Sequence, residues 1–339
     1  MRRDRQRLLR ATAAAGVGLW LGVAMATANA ATPAPTRPPL NVAFVYATPI
    51  GTAGWTYQHH MGRLGLEKNL GTAVQTRFVE NVADDAEAER VLRALVAQGH
   101  RLIFATSESH RAAVLRVAPE FPHVAFESVG DLREAPRVPA PANVSLYNAR
   151  ADQGRYLAGR VAGQMSRSGR IGHVAGAQNP QALQALDAFT RGLHSANPKA
   201  QVQAVWLNTP FHPAKEREAA ERLVRDGADV LTQYRGTSAV AEVAEVHAAQ
   251  GVRCIGDQSD LRPFAPTAQL TSSTLHWGDR YTAVAKAVIA GTWKPRPFSG
   301  GVRERVVRMA PYAAEVPREA QRQVNEIERA MAAGRGPVR

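Results

Sequence analysis

Short apolar runs rich in β-branched residues alternate with segments whose apolar residues recur at helical spacing, and this alternation continues through most of the chain after residue 40. Apolar strands that alternate with helices form parallel sheets with helices on both faces. The alternation therefore predicts an α/β fold. The predicted strands are 41–47, 74–82, 101–106, 123–129, 143–148, 170–175, 202–207, 230–234, 252–256 and 269–272, and the predicted helices are 86–98, 112–118, 152–165, 181–196, 214–226, 238–250 and 318–333.

The number of predicted strands indicates two lobes. Ten strands are too many for one doubly wound sheet, and 339 residues suit two domains of roughly 100–150 residues each. A cluster of prolines at 136, 139 and 141 predicts a crossing between the lobes near 135–142. We predict a first lobe over 41–147, completed by about 259–290, a second lobe over 148–258, completed by about 291–333, and a flexible tail at 334–339.

The first thirty residues carry the three parts of a secretory signal. Five arginines lie within the first ten residues, an apolar run follows at 11–26, and Ala28-Asn29-Ala30 offers a small-residue cleavage site. The apolar run is too short, and too rich in Ala and Gly, for a comfortable membrane span, although an uncleaved anchor is the alternative. We predict cleavage after Ala30, an extended proline-rich linker at 31–40 and an exported protein that carries no lipid, since no cysteine lies near the site.

The net charge of +13 does not indicate a nucleic-acid partner. Residues 1–30 hold five Arg and one Asp, so their removal leaves about +9. The other arginines are scattered along the chain, whereas a nucleic-acid surface needs a basic patch or stripe. The sequence therefore predicts solvated helix faces and no nucleic-acid binding.

Candidate catalytic and metal-binding residues are few. The sequence contains no G-x-S-x-G, G-x-x-x-x-G-K-[ST] or H-E-x-x-H motif. His59 and His60 are adjacent, so on a helix they point about 100° apart and cannot chelate one metal ion together. Cys254, the single cysteine, lies in an apolar run and is predicted to be a buried structural thiol. We therefore predict no catalytic residue, no metal and no cofactor.

Aromatic and polar residues follow several predicted strands, where α/β sheets of this kind bind ligands. Trp55 follows the loop 49–54 and opens a helix, and Phe211 occupies the corresponding place in the second half. Each ring can face a cleft or instead cover the core at a helix start, and each polar residue at a strand end can equally be a cap or turn former. Together they predict a polar crevice between the lobes. The candidate ligand-binding residues are Trp55, Thr56, Ser107, Glu127, Phe211, Gln233, Gln258 and Asp260.

The same segments match the motifs of a known family between about residues 41 and 301. The matching motifs are Gly54-Trp55-Thr56-Tyr57-Gln58, Val79-Glu80-Asn81-Val82, Phe121-Pro122-His123-Val124, Tyr156-Leu157-Ala158-Gly159, Gly169-Arg170-Ile171-Gly172, Gly192 with Asn197-Pro198, Lys215-Glu216, Gly227-Ala228-Asp229-Val230 and Ser259-Asp260. In their order and spacing, the chain resembles the basic membrane protein family of solute-binding proteins for ABC importers, which includes purine nucleoside receptors.

The resemblance implies a type I periplasmic-binding-protein fold, in which two doubly wound lobes joined by a hinge close over a ligand. It implies a periplasmic receptor, not an enzyme, that captures a small molecule and presents it to an inner-membrane ABC permease. We expect this receptor to be a monomer. The alternatives are a sensory module for another small planar solute or a sugar, and an exported nucleoside hydrolase. The hydrolase would need an Asp cluster after the first strand, and residues 48–54 contain no Asp.

The resemblance also bears on the ligand. Residues 54–58 and the Lys215-Glu216 pair resemble the branch associated with adenine-type bases. In nucleoside-binding members two aromatic side chains sandwich the base, and carboxylates hold the ribose. The first aromatic corresponds to Trp55 in this sequence, and the second falls near Phe211. In this sequence Pro210 and His212 replace the expected aromatic and Asp, and Gln258 stands in place of a ribose-binding Asp. Asp260, which the family also carries, is kept. An adenine-like free base, or another small planar solute, therefore fits the resemblance better than a nucleoside, which stays the alternative.

Overall fold

The computed structural model describes residues 38–130, 141–209 and 211–338. These residues form two α/β lobes, each built on a six-stranded sheet, which confirms the predicted fold class. The predicted signal peptide, most of the linker and most of the predicted crossing at 135–142 lie outside the described residues, as do Pro210 and Arg339. In the described ranges, none of the helices combines the length and the hydropathy that a membrane span requires.

The first lobe contains a parallel sheet covered by helices on both faces. Its elements are β1 (Leu40–Val45), α1 (Gly54–Leu70), β2 (Val74–Val79), α2 (Asp85–Ala97), β3 (Leu102–Ala105), α3 (Arg111–Val117), β4 (Ala125–Val129), β5 (Val144–Ala149), α8 (Gly278–Ile289) and β11 (Phe298–Gly300). The strand order is β11-β5-β4-β3-β1-β2, and all neighbours are parallel. Strand side chains alternate between the two faces of a sheet. The side chains on one face of this sheet therefore pack on α2 and α3, and those on the other face pack on α1 and α8.

The second lobe repeats this plan. Its elements are α4 (Ala151–Met165), β6 (Arg170–Ala175), α5 (Pro180–Ala196), β7 (Gln201–Trp206), α6 (Pro213–Arg225), β8 (Val230–Tyr234), α7 (Ala239–Val246), β9 (Arg253–Gln258), β10 (Gln269–Leu275), β12 (Val307–Met309) and α9 (Arg318–Ala332). The strand order is β12-β10-β9-β8-β6-β7, with β12 antiparallel to β10 and the other neighbours parallel. Helices α6 and α7 cover one face, and α4, α5 and α9 cover the other. Short 3₁₀ turns lie in the first lobe at Gly71–Ala73, Glu108–His110 and Ala118–Glu120, and in the second lobe at Ala248–Gln250.

Within 38–130, 141–209 and 211–338, the chain passes between the lobes at three places, and these differ from the predicted boundaries. Strands β4 and β5 pair in the same sheet, so the chain does not change sheets across the proline cluster at 136–141; the first crossing follows β5. The second lies between β10 and α8, and the third between β11 and β12. The segment that completes the first lobe is therefore about 278–300 rather than 259–290. Prolines mark where a strand or helix ends, but not which sheet the next strand joins.

Two helices of the second lobe approach each other closely at glycines. A Cβ atom on Gly159 of α4 would lie 1.9 Å from the carbonyl oxygen of Phe189, and one on Gly192 of α5 would lie 2.0 Å from that of Tyr156. Only glycine allows this distance between the two backbones. Both glycines belong to the motifs that the family resemblance rests on, and the structure gives their physical reason.

We expect the free energy of unfolding to fall as the pH drops below about 6.5, in part because of His173 in β6. This ring is fully buried, and neither of its nitrogens has a hydrogen-bond partner among the described residues. Burial, and then the charge of Arg155, lowers its pKa to about 3. Between that value and pH 6.5 the unfolded state binds a proton that the folded state does not, so His173 alone should cost about 2 kcal/mol at pH 5.

Urea unfolding of the wild type and of His173→Leu at pH 7.5 and pH 5.0 checks this expectation. Between pH 7.5 and pH 5.0, the free energy of unfolding of the variant should fall by about 2 kcal/mol less than that of the wild type. His123→Gln, which removes an exposed histidine, is the matched control. An equal pH dependence in the wild type and His173→Leu would contradict the role given to His173.

Candidate functional site

A cavity of about 130 Å³ lies between the lobes, at the carboxyl ends of strands from both sheets. The first lobe contributes the residues that follow β1 and β3, and the second contributes those that precede α6 and follow β8. Four of the eight predicted ligand-binding residues line it: Trp55, Thr56, Ser107 and Phe211. The other lining residues are Ala47, Thr48, Pro49, Ile50, Ala53, Arg235 and Gly236.

Trp55 is both a wall of this cavity and part of the core. Its indole Nε1 donates a hydrogen bond to the carbonyl oxygen of Thr106, at 2.7 Å, which fixes the ring against the end of β3. The ring also meets His59 edge-on, with centroids 4.5 Å apart. Burial, and then the charge of Arg235, holds the pKa of His59 well below its usual range, so Trp55 packs on a neutral imidazole. The two roles that the sequence offered as alternatives are combined in one half-buried side chain.

The start of α1 touches the second lobe directly. Ser259 accepts two hydrogen bonds from it, one from the backbone N–H of Gly54 at 3.0 Å and one from the side chain of Gln58 at 2.9 Å. Gly54 has φ +88°, and a Cβ atom there would lie 2.5 Å from the carbonyl oxygen of Gly236. Glycine is thus required both by the backbone conformation and by the approach of the second lobe. The two lobes therefore touch each other directly beside the cavity.

Arg235, at the end of β8, is a cavity residue that sequence reasoning did not single out. Its guanidinium lies over the ring of Trp55, 4.2 Å from the centroid, and 5.3 Å from the centroid of Tyr234. The only sequence signal was its position directly after a buried strand, in a chain where arginine is common. Since guanidinium groups are attracted to aromatic faces, Arg235 occupies the surface that Trp55 turns toward the cavity.

Buried carboxylates hold the loop that carries Arg235. Asp257 accepts a hydrogen bond from the backbone N–H of Arg235, at 3.0 Å, and lies 3.6 Å from the guanidinium of the buried Arg155. Burial raises the pKa of Asp257, and the charge of Arg155 opposes that rise. Glu216 accepts from both the backbone N–H and the hydroxyl of Thr237, each at 2.8 Å. The loop is therefore fixed on both sides of Gly236.

Phe211 and His212 lie in the segment that departs from the family pattern, and each has a structural role here. The ring of Phe211 lies against the backbone of Gly51, so it closes the cavity from the second lobe onto the loop after β1. His212 caps α6, since its Nδ1 accepts a hydrogen bond from the backbone N–H of Lys215 at 3.3 Å. A side chain that can accept at this position satisfies a free N–H of the first helical turn.

The remaining predicted residues are not brought to the cavity wall. Gln233 donates to the carbonyl oxygen of Thr237, at 2.6 Å, and so supports the loop from beneath. Gln258 is buried at φ +64°, and its amide has no partner among the described residues. Asp260 is exposed and accepts from the side chain of Gln269, at 2.6 Å, on the edge of a second, wider groove of about 640 Å³.

Glu127 lies elsewhere, in the core of the first lobe. Its carboxylate accepts from Arg280 at 2.9 Å and from the indole of Trp293 at 3.0 Å, so it joins β4 to α8 and the segment after it. Burial raises its pKa, and Arg280 opposes the rise. The sequence suggested a strand end and a ligand contact, but Glu127 lies within β4 and its hydrogen bonds are structural.

Comparison with known proteins gives a consistent result. The family model described as PnrA-like ABC transporter substrate-binding protein matches residues 40–337. A purine-binding protein of Brucella abortus is 37% identical over 305 residues, which cover 88% of this chain and 84% of that protein. A putative ABC transporter glucose-binding protein of Haloferax volcanii is 28% identical, over 85% of this chain and 71% of that protein.

Solved structures agree on the fold. A solute-binding protein of an ABC transporter system from Conexibacter woesei superposes with a TM-score of 0.73 and 26% identity, covering 87% of this chain and 97% of its own. A solute-binding protein from Aeropyrum pernix superposes with a TM-score of 0.72 at 18% identity, covering 87% of this chain and 92% of its own, and supports the fold alone. The predicted type I periplasmic-binding-protein fold is confirmed by these likenesses.

Proposed function

The chain belongs to the family of PnrA-like ABC transporter substrate-binding proteins, and from this premise we propose that its interlobe cavity captures a free purine base for an importer. Members of this family bind a solute outside the cytoplasmic membrane and are not enzymes. The protein then binds the solute and releases it to its partner, an inner-membrane ABC permease. We further propose that the protein reaches the periplasm by cleavage of residues 1–30.

The observation that carries the proposal is the pair of aromatic side chains, Trp55 from the first lobe and Phe211 from the second, on the wall of one small cavity. Aromatic faces bind planar bases by stacking, worth about 1–3 kcal/mol per base. The purine-binding relative in Brucella supports the same class of ligand.

The size and lining of the cavity favour a base over a nucleoside. Its 130 Å³ is well below the roughly 300–1,000 Å³ of pockets for larger ligands. Among the described residues that line it, none is a carboxylate, so the groups that hold the ribose in nucleoside-binding members have no counterpart on this wall. The hydroxyls of Thr48, Thr56 and Ser107 can donate or accept, and so suit the edges of a base.

A sugar is the second candidate, since the relative in Haloferax is described as a putative glucose-binding protein. A sugar carries hydroxyl groups around its whole rim, and each needs a polar partner when it is buried. About half of the residues that line this cavity are apolar or aromatic, namely Ala47, Pro49, Ile50, Ala53, Trp55 and Phe211. The planar base therefore fits the lining better.

Two measurements on the purified mature protein test the proposal. Mass spectrometry of the solution left after denaturation should reveal a co-purified purine base. Calorimetric titration of the ligand-free protein should then show binding of adenine or hypoxanthine at least tenfold tighter than of adenosine or glucose. Binding of glucose without any purine would favour the sugar candidate and overturn the proposal.

A further inference from the structure

The side chain of Arg235 faces the cavity with its hydrogen-bonding capacity unused. A guanidinium carries five N–H donors and no acceptor. In the described part of the chain, no hydrogen bond or ion pair joins the Arg235 guanidinium to another residue, and its buried Nε has no acceptor. Because Arg235 lines the cavity and is only partly buried, its free N–H donors are available to the acceptor atoms of a molecule that enters there.

The backbone of Arg235 is held in place, while its side chain is not. The residue has φ +56°, which is uncommon for a non-glycine residue, and the bond from its N–H to Asp257 maintains this conformation. The flanking loop is fixed by Glu216 and Gln233. Among the described residues, the guanidinium contacts the ring faces of Trp55 and Tyr234 and makes no side-chain hydrogen bond, so it can move aside without disturbing the loop.

A base that stacks on Trp55 must take the face that the guanidinium now covers. Since the backbone of Arg235 stays fixed at the cavity wall, the displaced guanidinium remains within reach of the rim of the base. It then presents two parallel donors in the plane of the base. The edge that accepts such a fork is one with two neighbouring acceptor atoms.

We propose that Arg235 selects a 6-oxopurine, such as hypoxanthine, guanine or xanthine, over adenine. In a 6-oxopurine O6 and N7 are adjacent acceptors, and arginine binds them through two hydrogen bonds; in adenine the 6-amino group is a donor and would oppose the guanidinium. The hydroxyls of Thr48, Thr56 and Ser107 suit either base and do not discriminate. This inference rests on the proposed purine function and differs from the adenine-like base that the family resemblance implies.

Calorimetric titration of the ligand-free protein with hypoxanthine and adenine, which differ only at C6 and N1, tests the inference. Hypoxanthine should bind about 5- to 150-fold tighter than adenine. Removal of one acceptor, in 7-deazahypoxanthine, should lower the affinity toward that of adenine. Wild-type protein that binds adenine as tightly as hypoxanthine would overturn the selection by Arg235 and leave the purine function standing, whereas protein that binds neither base would overturn both.

Variants separate the role of Arg235 from a general effect. Arg235→Gln should reverse the preference, because glutamine pairs with the N6 and N7 positions of adenine. Arg235→Lys keeps the charge but not the fork, and should lose most of the hypoxanthine preference. Arg191→Gln, which removes an exposed arginine of α5 paired with Asp187, is the matched control and should keep the wild-type ratio. An unchanged ratio in Arg235→Gln, with a melting temperature that shows it is folded, would also overturn the inference.

Discussion

Replacing Trp55 by alanine should weaken the binding of a purine base about 5- to 150-fold, the equivalent of the 1–3 kcal/mol that stacking on one aromatic ring contributes. The indole is the largest side chain on the cavity wall and offers the base a flat face. In Trp55→Ala this face is lost, and Arg235 also loses the ring on which its guanidinium rests. Calorimetric titration with hypoxanthine and adenine measures the loss.

The same substitution should also lower the melting temperature. From the sequence alone, an unchanged melting temperature is the expected sign of a stacking residue, but the structure shows that the ring packs on His59 and bonds Thr106 as well. We therefore expect a destabilisation near the lower end of the roughly 3–5 kcal/mol that truncation of a buried Trp costs.

Trp55→Phe separates the two roles. It retains an aromatic face but loses the bond from Nε1 to Thr106, so it should keep most of the affinity while it loses some stability. Folded Trp55→Ala protein that binds a purine with wild-type affinity would show that Trp55 is a core residue only, and would remove the main support for base capture.

Asp257→Ala should lower the free energy of unfolding by about 3–5 kcal/mol, because it leaves the guanidinium of Arg155 buried without its ionic partner. Both side chains are almost completely inaccessible to water, and their charged atoms lie 3.6 Å apart. The hydroxyl of Thr232, at 3.1 Å, cannot balance the charge of Arg155. Urea unfolding at neutral pH measures the loss.

The double variant Arg155→Met/Asp257→Leu should recover much of this stability, since it buries no unpaired charge. Asp187→Asn, which breaks the exposed pair with Arg191, is the control and should cost no more than about 1 kcal/mol. In the double variant the backbone N–H of Arg235 still lacks its acceptor, so its hypoxanthine affinity should remain below that of the wild type. A stable Asp257→Ala single variant would contradict the role given to the buried pair.

Local features of the sequence were enough to predict the elements and part of the site. The alternation of strand-like and helix-like segments specifies parallel sheets, because apolar strands with helical connections can bury both faces only in that way. Trp55, Ser107 and Phe211 could be predicted as wall residues for a related reason: each follows a strand, and the carboxyl ends of parallel strands lie at one edge. Even α8, which was not predicted, had its signal in Tyr281, Val284 and Ala285, which are buried at helical spacing.

The tertiary structure decided which strand ends face the cavity and which do not. Glu127, Gln258 and Asp260 were predicted at strand ends as well. Glu127 instead lies within β4 and is paired with Arg280, Gln258 ends β9 and is enclosed, and Asp260 lies on another groove. Arg235, one of many arginines in the sequence, instead lies over Trp55. The sequence specifies local periodicity, which depends on neighbours a few residues apart. The direction of a side chain at a strand end depends on strand order and on the fit of the two lobes, and these arise from contacts between residues far apart in the chain, such as Gly54 with Gly236 and Asp257 with Arg155.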